Sequence, residues 1–285
     1  MLTRLRLTPL FVAALLPVPA AGAPARGEFP FQLKAGFIWV KVQAPQSAEP
    51  LNFLLDSGAS VSVINLRTAR SLGLKLGKQV GVQGVGTSRE GFWPEHLSAT
   101  AGGVQLPGDY LTVDLGALSG ACECRVDGLI GADFFRGRIV QIDFAAGKIR
   151  VLREAPATAG QESIPLKLRH GALRVPVGVN GGTPRWVRLD TGCASGLQWV
   201  TDRAKPEGHA RRVAVALSEL SVAVARSRVQ LGNTFFEAVP TDLHPKPIFV
   251  NEAGLLGNGL LSRFGSVTID TKAGRLILEG RCDRN

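Results

Sequence analysis

The sequence predicts a mostly β protein made of two similar lobes, and three observations carry that expectation. Short apolar runs punctuated by glycine dominate the chain, helical patterning is confined to Leu66–Leu74 and Ala132–Arg136, and the first half recurs in the second. Closed or strongly coiled sheets are the architecture such runs build. The 285 residues suffice for one large domain or two of roughly 120–130 residues. An apolar content of 45% and a mean hydropathy of +0.13 provide for a substantial core.

The recurrence can be followed element by element. Residues 29–42 align with 164–177 at an offset of 135, matching Pro30 with Pro165, Gly36 with Gly171 and Val40 with Val175. Both stretches alternate as strands do. In the second copy Asn180-Gly181-Gly182-Thr183 supplies a tight turn, where the first has a longer loop from Gln43 to Pro50. Phe53-Leu54-Leu55-Asp56-Ser57-Gly58 then corresponds to Val187-Arg188-Leu189-Asp190-Thr191-Gly192 at an offset of 134. Val104-Gln105-Leu106 pairs with Val229-Gln230-Leu231 at 125, which implies a loss of nine residues from the second copy. Gly128-Leu129-Ile130-Gly131 answers Gly254-Leu255-Leu256-Gly257 at 126, and Ile142-Asp143 answers Ile269-Asp270 at 127. The expected organisation is an N-terminal lobe over 28–153, a small-residue, Pro-containing linker over 154–161 and a C-terminal lobe over 162–281.

Residues 1–25 have the layout of a secretory signal peptide: a basic start at Arg4 and Arg6, an apolar core from Leu10 to Leu16 and a small-residue exit from Ala20 to Ala25. The core is too short to span a membrane. Export to the periplasm or the medium follows. Removing this segment takes away two arginines and no acid, lowering the formal net charge from +10 to +8. The remaining cations are scattered, and their densest run, Arg203 to Arg212, has no interleaved aromatic residues, so nucleic acid is not an expected partner.

Cys122, Cys124, Cys193 and Cys282 do not match structural zinc spacing, and the four histidines form no ligand pair. Neither a metal nor an organic cofactor is expected. An oxidising compartment would permit one disulfide, between Cys282 and either Cys122 or Cys124. Cys193 is expected to remain a small buried thiol. Asp143 and Asp270, which match across the halves just before turns, are read as structural.

The two Asp-[Ser/Thr]-Gly segments carry the chemistry. One alone is an ordinary turn. Two, each ending a strand-like run at the same place in a repeated half, indicate the halves of one carboxylate pair. With the downstream Leu129-Ile130-Gly131 and Leu255-Leu256-Gly257, they make the chain resemble the two-lobed pepsin/retropepsin group of aspartic proteases over about residues 28–281. Its small lobes are closest to the bacterial, retropepsin-like branch. The second motif departs from the pattern by placing Arg188 where an apolar residue is usual.

That resemblance implies two retropepsin-like β-barrel lobes with the active cleft between them. It implies Asp56 and Asp190 as the catalytic dyad, sharing one proton because two close carboxylates do not both ionise cheaply. Ser57, Gly58, Thr191 and Gly192 would support the dyad, the hydroxyls by cross-linking the two loops. Residues 79–95 would form a flap in lobe one that lobe two lacks, with Gly84-Val85-Gly86 at its tip binding an extended peptide through its backbone. Trp93 would supply bulk that the family places on a flap tyrosine; the chain's one tyrosine, Tyr110, lies elsewhere. Ala59 and Cys193 stand where the family often has a hydroxyl donor to the dyad, so an activity optimum less acidic than pepsin's is expected. The implied activity is endopeptidase cleavage of peptide or protein substrates by a monomer. The alternative is a catalytically silent, peptide-binding pseudo-protease of the same fold.

Overall fold

The structure, a computed structural model, describes residues 25–281 apart from 85–86, 95, 158–161, 202–210, 216–217 and 250. The expected signal segment up to residue 24, Val85 and Gly86 of the expected flap tip, most of the basic run, the end of the expected linker and Cys282 therefore lie outside the described residues.

Lobe one contributes β1 (Ala25–Pro30), β2 (Gln32–Lys34), β3 (Phe37–Val42), β4 (Leu51–Leu55), β5 (Val63–Asn65), α1 (Leu66–Ser71), β6 (Leu76–Gly84), β7 (Thr87–Pro94), β8 (Thr100–Ala101), β9 (Val104–Gln105), β10 (Leu111–Val113), α2 (Gly116–Ala121), β11 (Gly128–Ile130), a 3-10 turn (Ala132–Phe135), β12 (Ile139–Asp143) and β13 (Lys148–Leu152). Lobe two contributes β14 (Glu162–Pro165), β15 (Lys167–Arg169), β16 (Ala172–Val179), β17 (Arg185–Leu189), β18 (Leu197–Val200), β19 (Arg211–Val215), β20 (Ser218–Leu231), β21 (Thr234–His244), β22 (Gly254–Leu256), α3 (Asn258–Leu261), β23 (Phe264–Asp270) and β24 (Arg275–Arg281).

Among the described residues each lobe forms an eight-stranded sheet in the same spatial order, β2-β3-β4-β11-β5-β10-β7-β6 in one and β15-β16-β17-β22-β18-β21-β20-β19 in the other. At the centre of each, consecutive strands are split apart by a later one. β4 and β5 are separated by β11, which runs parallel to β4 and antiparallel to β5. β17 and β18 are separated by β22 in the same way. The turn carrying the aspartate thus sits over the end of the intruding strand. Asp56 N–H donates to the Ile130 carbonyl at 2.8 Å, and Asp190 N–H to that of Leu256 at 2.9 Å. This accounts for both apolar-apolar-Gly segments. They are the intruding strands, and a β-carbon at Gly131 or Gly257 would overlap the backbone of Val61 or Ser195 just beyond the dyad turn.

A six-stranded sheet, β1-β13-β12-β23-β24-β14, joins the lobes. Its centre is the antiparallel pair β12–β23, in which Gln141 faces Thr268. Asp143 and Asp270 end strands of this sheet. Asp143 accepts from Ala146 N–H and pairs with Arg150; Asp270 accepts from the Lys272 and Ala273 N–H groups and pairs with Arg275. A continuous core extends through both lobes. In lobe one Phe53 and Tyr110 meet edge to face at 6.1 Å, and in lobe two Phe236 and Phe264 do so at 5.6 Å.

Three expectations need correction. Lobe two does not lack the lobe-one hairpin: β19 and β20 pair antiparallel at the place that β6 and β7 occupy in lobe one. The match of Val104-Gln105-Leu106 with Val229-Gln230-Leu231 is also misplaced. Val104 follows the Gly102-Gly103 turn, whereas Val229 precedes the turn at Gly232, so Val104 corresponds to Thr234. Finally, the short helices α2 and α3 were not foreseen, since neither has a side-chain N-cap or a long enough apolar period.

Candidate active site

The two dyad turns face each other. A β-carbon added at Gly192 would lie 2.5 Å from the carboxyl carbon of Asp56, and one added at Gly58 would overlap the Asp190 carboxyl in the mirror-image manner. Each carboxylate therefore lies over the glycine of the opposite loop, and only a residue without a β-carbon permits the approach. This is the juxtaposition expected for Asp56, Gly58, Asp190 and Gly192.

Ser57 and Thr191 are fully buried and turn away from the cleft. Ser57 N–H donates to Thr191 Oγ1 at 2.9 Å, and Thr191 N–H to Ser57 Oγ at 3.0 Å. The Ser57 hydroxyl donates onward to the Leu189 carbonyl and that of Thr191 to the Leu55 carbonyl, both at 2.8 Å. Four bonds so satisfy two hydroxyls, two N–H groups and two carbonyls across the lobe boundary. They fix the separation of the aspartates.

A second pair of contacts reinforces this geometry. The β2–β3 and β15–β16 hairpins turn through Ala35-Gly36 and His170-Gly171, with all four residues at positive φ. A β-carbon on Gly36 would come within 2.6 Å of Ala194 Cβ, and one on Gly171 within 2.8 Å of Ser60 Cβ. Each hairpin tip thus braces the other lobe's dyad turn. Asn258 adds a brace that sequence reasoning missed: its Nδ2 donates to the carbonyls of Gly36 at 2.8 Å and Thr191 at 2.7 Å. Nothing in the repeat marks it, because the equivalent residue of lobe one is Ala132.

The carboxylates are not equivalent. Asp56 Oδ1 accepts from the N–H groups of both Gly58 and Ala59 at 3.0 Å. Asp190 Oδ1 accepts from Gly192 N–H at 2.9 Å, while Cys193 N–H goes to the Asp190 main-chain oxygen. Burial pushes Asp56 above the ordinary carboxylate range, offset in part by its two backbone donors. Burial pushes Asp190 well above that range, and the charge on Asp56 adds to the effect. The additional backbone donor favours the charge on Asp56 and the proton on Asp190, while the titration belongs to the pair. Burial is the main cause of the upward direction; Ala59 contributes a backbone donor that lowers Asp56. Cys193 is a buried free thiol, itself pushed up by burial, and it accepts from Gln198 Nε2 at 3.4 Å.

Above the dyad lies a cavity of about 460 Å³. Its lobe-one wall is apolar, with Leu54, Val63, Leu111, Leu118 and Leu129 among the lining residues. The β6–β7 hairpin covers it with Val80, Val82 and Trp93. Trp93, from which flap bulk was expected, is thus one of the residues lining the cavity. Gly84 pairs with Thr87 at the end of the hairpin, and Val85 and Gly86 lie outside the described residues. The lobe-two wall brings Arg188 and Phe249, neither of which the sequence had marked as lining a cleft. Cys122 and Cys124 are free thiols. Among the described residues, no three His, Cys, Asp or Glu side chains gather to hold a metal, and no helix is long and apolar enough to cross a membrane.

Comparisons with known proteins bear on the fold and on lobe one. A structural match to the aspartic proteinase from Irpex lacteus covers 90% of this chain and 97% of that one, with a TM-score of 0.58 at 13% sequence identity. The fold is that of the pepsin-like aspartic proteinases. A protein-family model described as aspartyl protease matches residues 40–134, the part of lobe one from β3 through the 3-10 turn that includes Asp56 and the flap. No curated protein sequence matches the chain. The structural likeness thus spans both lobes, while the sequence likeness is confined to the first.

Proposed function

We propose that this protein is an aspartic endopeptidase in which Asp56 acts as general base and Asp190 as general acid. The observation that supports this most directly is the seating of each carboxylate over the other loop's glycine, at the floor of an apolar cleft. In this reading Asp56 takes a proton from a water between the carboxylates as that water's oxygen bonds to the carbonyl carbon of the scissile amide. Asp190 gives its proton to the carbonyl oxygen as charge develops there. The resulting gem-diol collapses when Asp56 passes its proton to the amide nitrogen, the C–N bond breaks, and one hydroxyl returns its proton to Asp190 as the carbonyl re-forms. An extended peptide would pair with the β6–β7 hairpin and bury apolar side chains against the lobe-one wall.

The layout of residues 1–25 supports export, with a periplasmic or extracellular place of action. Both halves of the dyad come from one chain, which supports a monomer as the working form.

Cleavage of an unbiased peptide library from acidic to neutral pH tests the reading. The wild type is expected to cut and to be blocked by a statine-type transition-state mimic. Asp56→Asn and Asp190→Asn should each lower kcat/KM by about 10²–10⁴-fold or more. Because burial raises both carboxyls, the rising limb of the pH profile should lie above the ordinary aspartate value of about 3.9. Peptide binding without cutting at any pH would overturn the assignment in favour of a peptide-binding pseudo-protease.

A further inference from the structure

The residue two before the dyad aspartate is Leu54 in lobe one and Arg188 in lobe two, in a sheet that is otherwise repeated strand for strand. Arg188 is the only cation among the described residues lining the cleft. Its guanidinium is held on every side. Nε and Nη2 donate to Glu252 Oε1 at 3.2 and 3.0 Å, and Nη1 crosses to lobe one to donate to the Gly58 carbonyl at 2.8 Å. The group lies 4.1 Å from the centre of the Phe249 ring. Glu252, whose side chain is fully buried, is shared with Arg174 of β16, whose Nη2 reaches it at 2.7 Å.

We propose that Arg188 is a positioning residue for the dyad: its immobilised guanidinium is the counter-charge that holds the carboxylate pair in its singly protonated state, and its bond to Gly58 sets the lobe-one turn against Asp190. The inference rests on the aspartic-peptidase reading for its link to activity, but not for its electrostatics. A singly protonated dyad carries one negative charge into an apolar cleft, where an uncompensated charge is costly. Two backbone N–H groups serve Asp56 and one serves Asp190. The Arg174–Glu252–Arg188 triad carries one net positive charge beside them. The ionisable groups facing the dyad are Arg188 of β17 and, beneath Asp190, Cys193. Glu252 and Arg174 act through Arg188, and Asp242 of β21 faces Cys193. All three guanidinium nitrogens bond to Glu252 or Gly58, so Arg188 acts on the aspartates through space and takes no part in proton transfer.

The test is a ¹³C NMR titration of the full chain labelled at the aspartate carboxyls, run beside the pH profile of peptide cleavage. Arg188→Leu, which copies Leu54 into lobe two, should move both dyad titrations up by about one pH unit or more. Arg188→Lys should keep them near wild type. Glu252→Gln, which leaves the positive charge unshared, should move them down. A residue that served only to pack the lobes would lower activity without moving either limb. Unmoved titrations in Arg188→Leu would overturn the proposal, as would a shift of Glu252→Gln in the same direction. Should Arg188→Leu fail to fold, Glu252→Gln alone decides: a downward shift supports the proposal, and anything else overturns it. If these shifts occur in a protein that cuts no peptide, the peptidase reading fails and the role of Arg188 stands. If cleavage is robust and the titrations are flat, the reverse holds.

Discussion

The two lobes share one sheet order, one split-strand arrangement and one Asp-[Ser/Thr]-Gly turn, yet they present different chemistry to the cleft. Lobe one offers an aspartate with two N–H donors, a wall of aliphatic side chains and a hairpin bearing Trp93. Lobe two offers an aspartate with one N–H donor, an arginine and Phe249. The register places Ala225 of β20 where β7 has Trp93, since Phe92 faces Thr112 and Val224 faces Asp242. Symmetry in the sheets brings the two carboxylates together; the unequal number of N–H donors favours the charge on Asp56, and the side chains make the two cleft walls different. Changes to the shared features should damage both lobes alike, and changes to the others should act on one lobe only.

Apart from loss of the aspartates themselves, the largest effect on activity is expected at the shared glycines. Gly58→Ala and Gly192→Ala each drive a methyl group into the opposing carboxylate. A displacement of about 1 Å at reacting groups costs roughly 10²-fold, so both variants should lose at least about that factor in kcat/KM while remaining folded by circular dichroism. A large difference between them would mean that one loop yields and that the dyad is less symmetric than its backbone.

Next come the cross-linking hydroxyls. Ser57→Ala removes the acceptor of Thr191 N–H and the donor to the Leu189 carbonyl; Thr191→Ala does the equivalent to Ser57 N–H and the Leu55 carbonyl. Each leaves buried groups unpaired, at a cost of about 1–3 kcal/mol in urea unfolding. Thr191→Ser keeps the hydroxyl and should cost well under that. Because the two residues share one network, the double alanine variant should cost less than the two single effects combined.

The aspartates themselves provide a smaller, pH-dependent contrast. A carboxyl whose folded value is raised binds more protons folded than unfolded, so it destabilises the fold as pH climbs from the unfolded value through the folded one. Asparagine at either site should therefore raise Tm at neutral pH and lose that advantage at acidic pH. Both variants should show the gain, because burial raises both carboxyls. Equal gains at all pH values would contradict the burial of charge at this site.

The same contrast explains how much of the molecule was legible in its sequence. The dyad, its hydroxyls and the intruding strands were legible because each demands a specific residue: a carboxylate, a hydroxyl, or a glycine where another backbone passes. The lobe-two hairpin was not. The flap was read from its glycines, whereas residues 211–231 contain none, and β19 and β20 form by plain alternation of valine, alanine, serine and arginine. Backbone pairing needs no signature residue. The Val-Gln-Leu triplet misled because a short apolar run suits either arm of a hairpin. Arg188 was visible only as a misfit, and its partners Glu252 and Gly58 are 64 and 130 residues away in sequence.

The smallest effect, and the one that separates the two hairpins, belongs to Trp93. It is partly exposed at the mouth of the cavity and is not part of either lobe's core. Trp93→Ala should leave stability nearly unchanged. A bound peptide would cover some of the indole, and losing that contact removes on the order of 1 kcal/mol of binding. KM should then rise about fivefold with kcat nearly constant, the signature of binding lost equally from ground and transition states. Ala225→Trp on the lobe-two hairpin asks whether bulk there can do the same. Tighter peptide binding by that variant would show that β20 also faces the substrate, and that what distinguishes the lobes at this position is the side chain and not the placement of the hairpin.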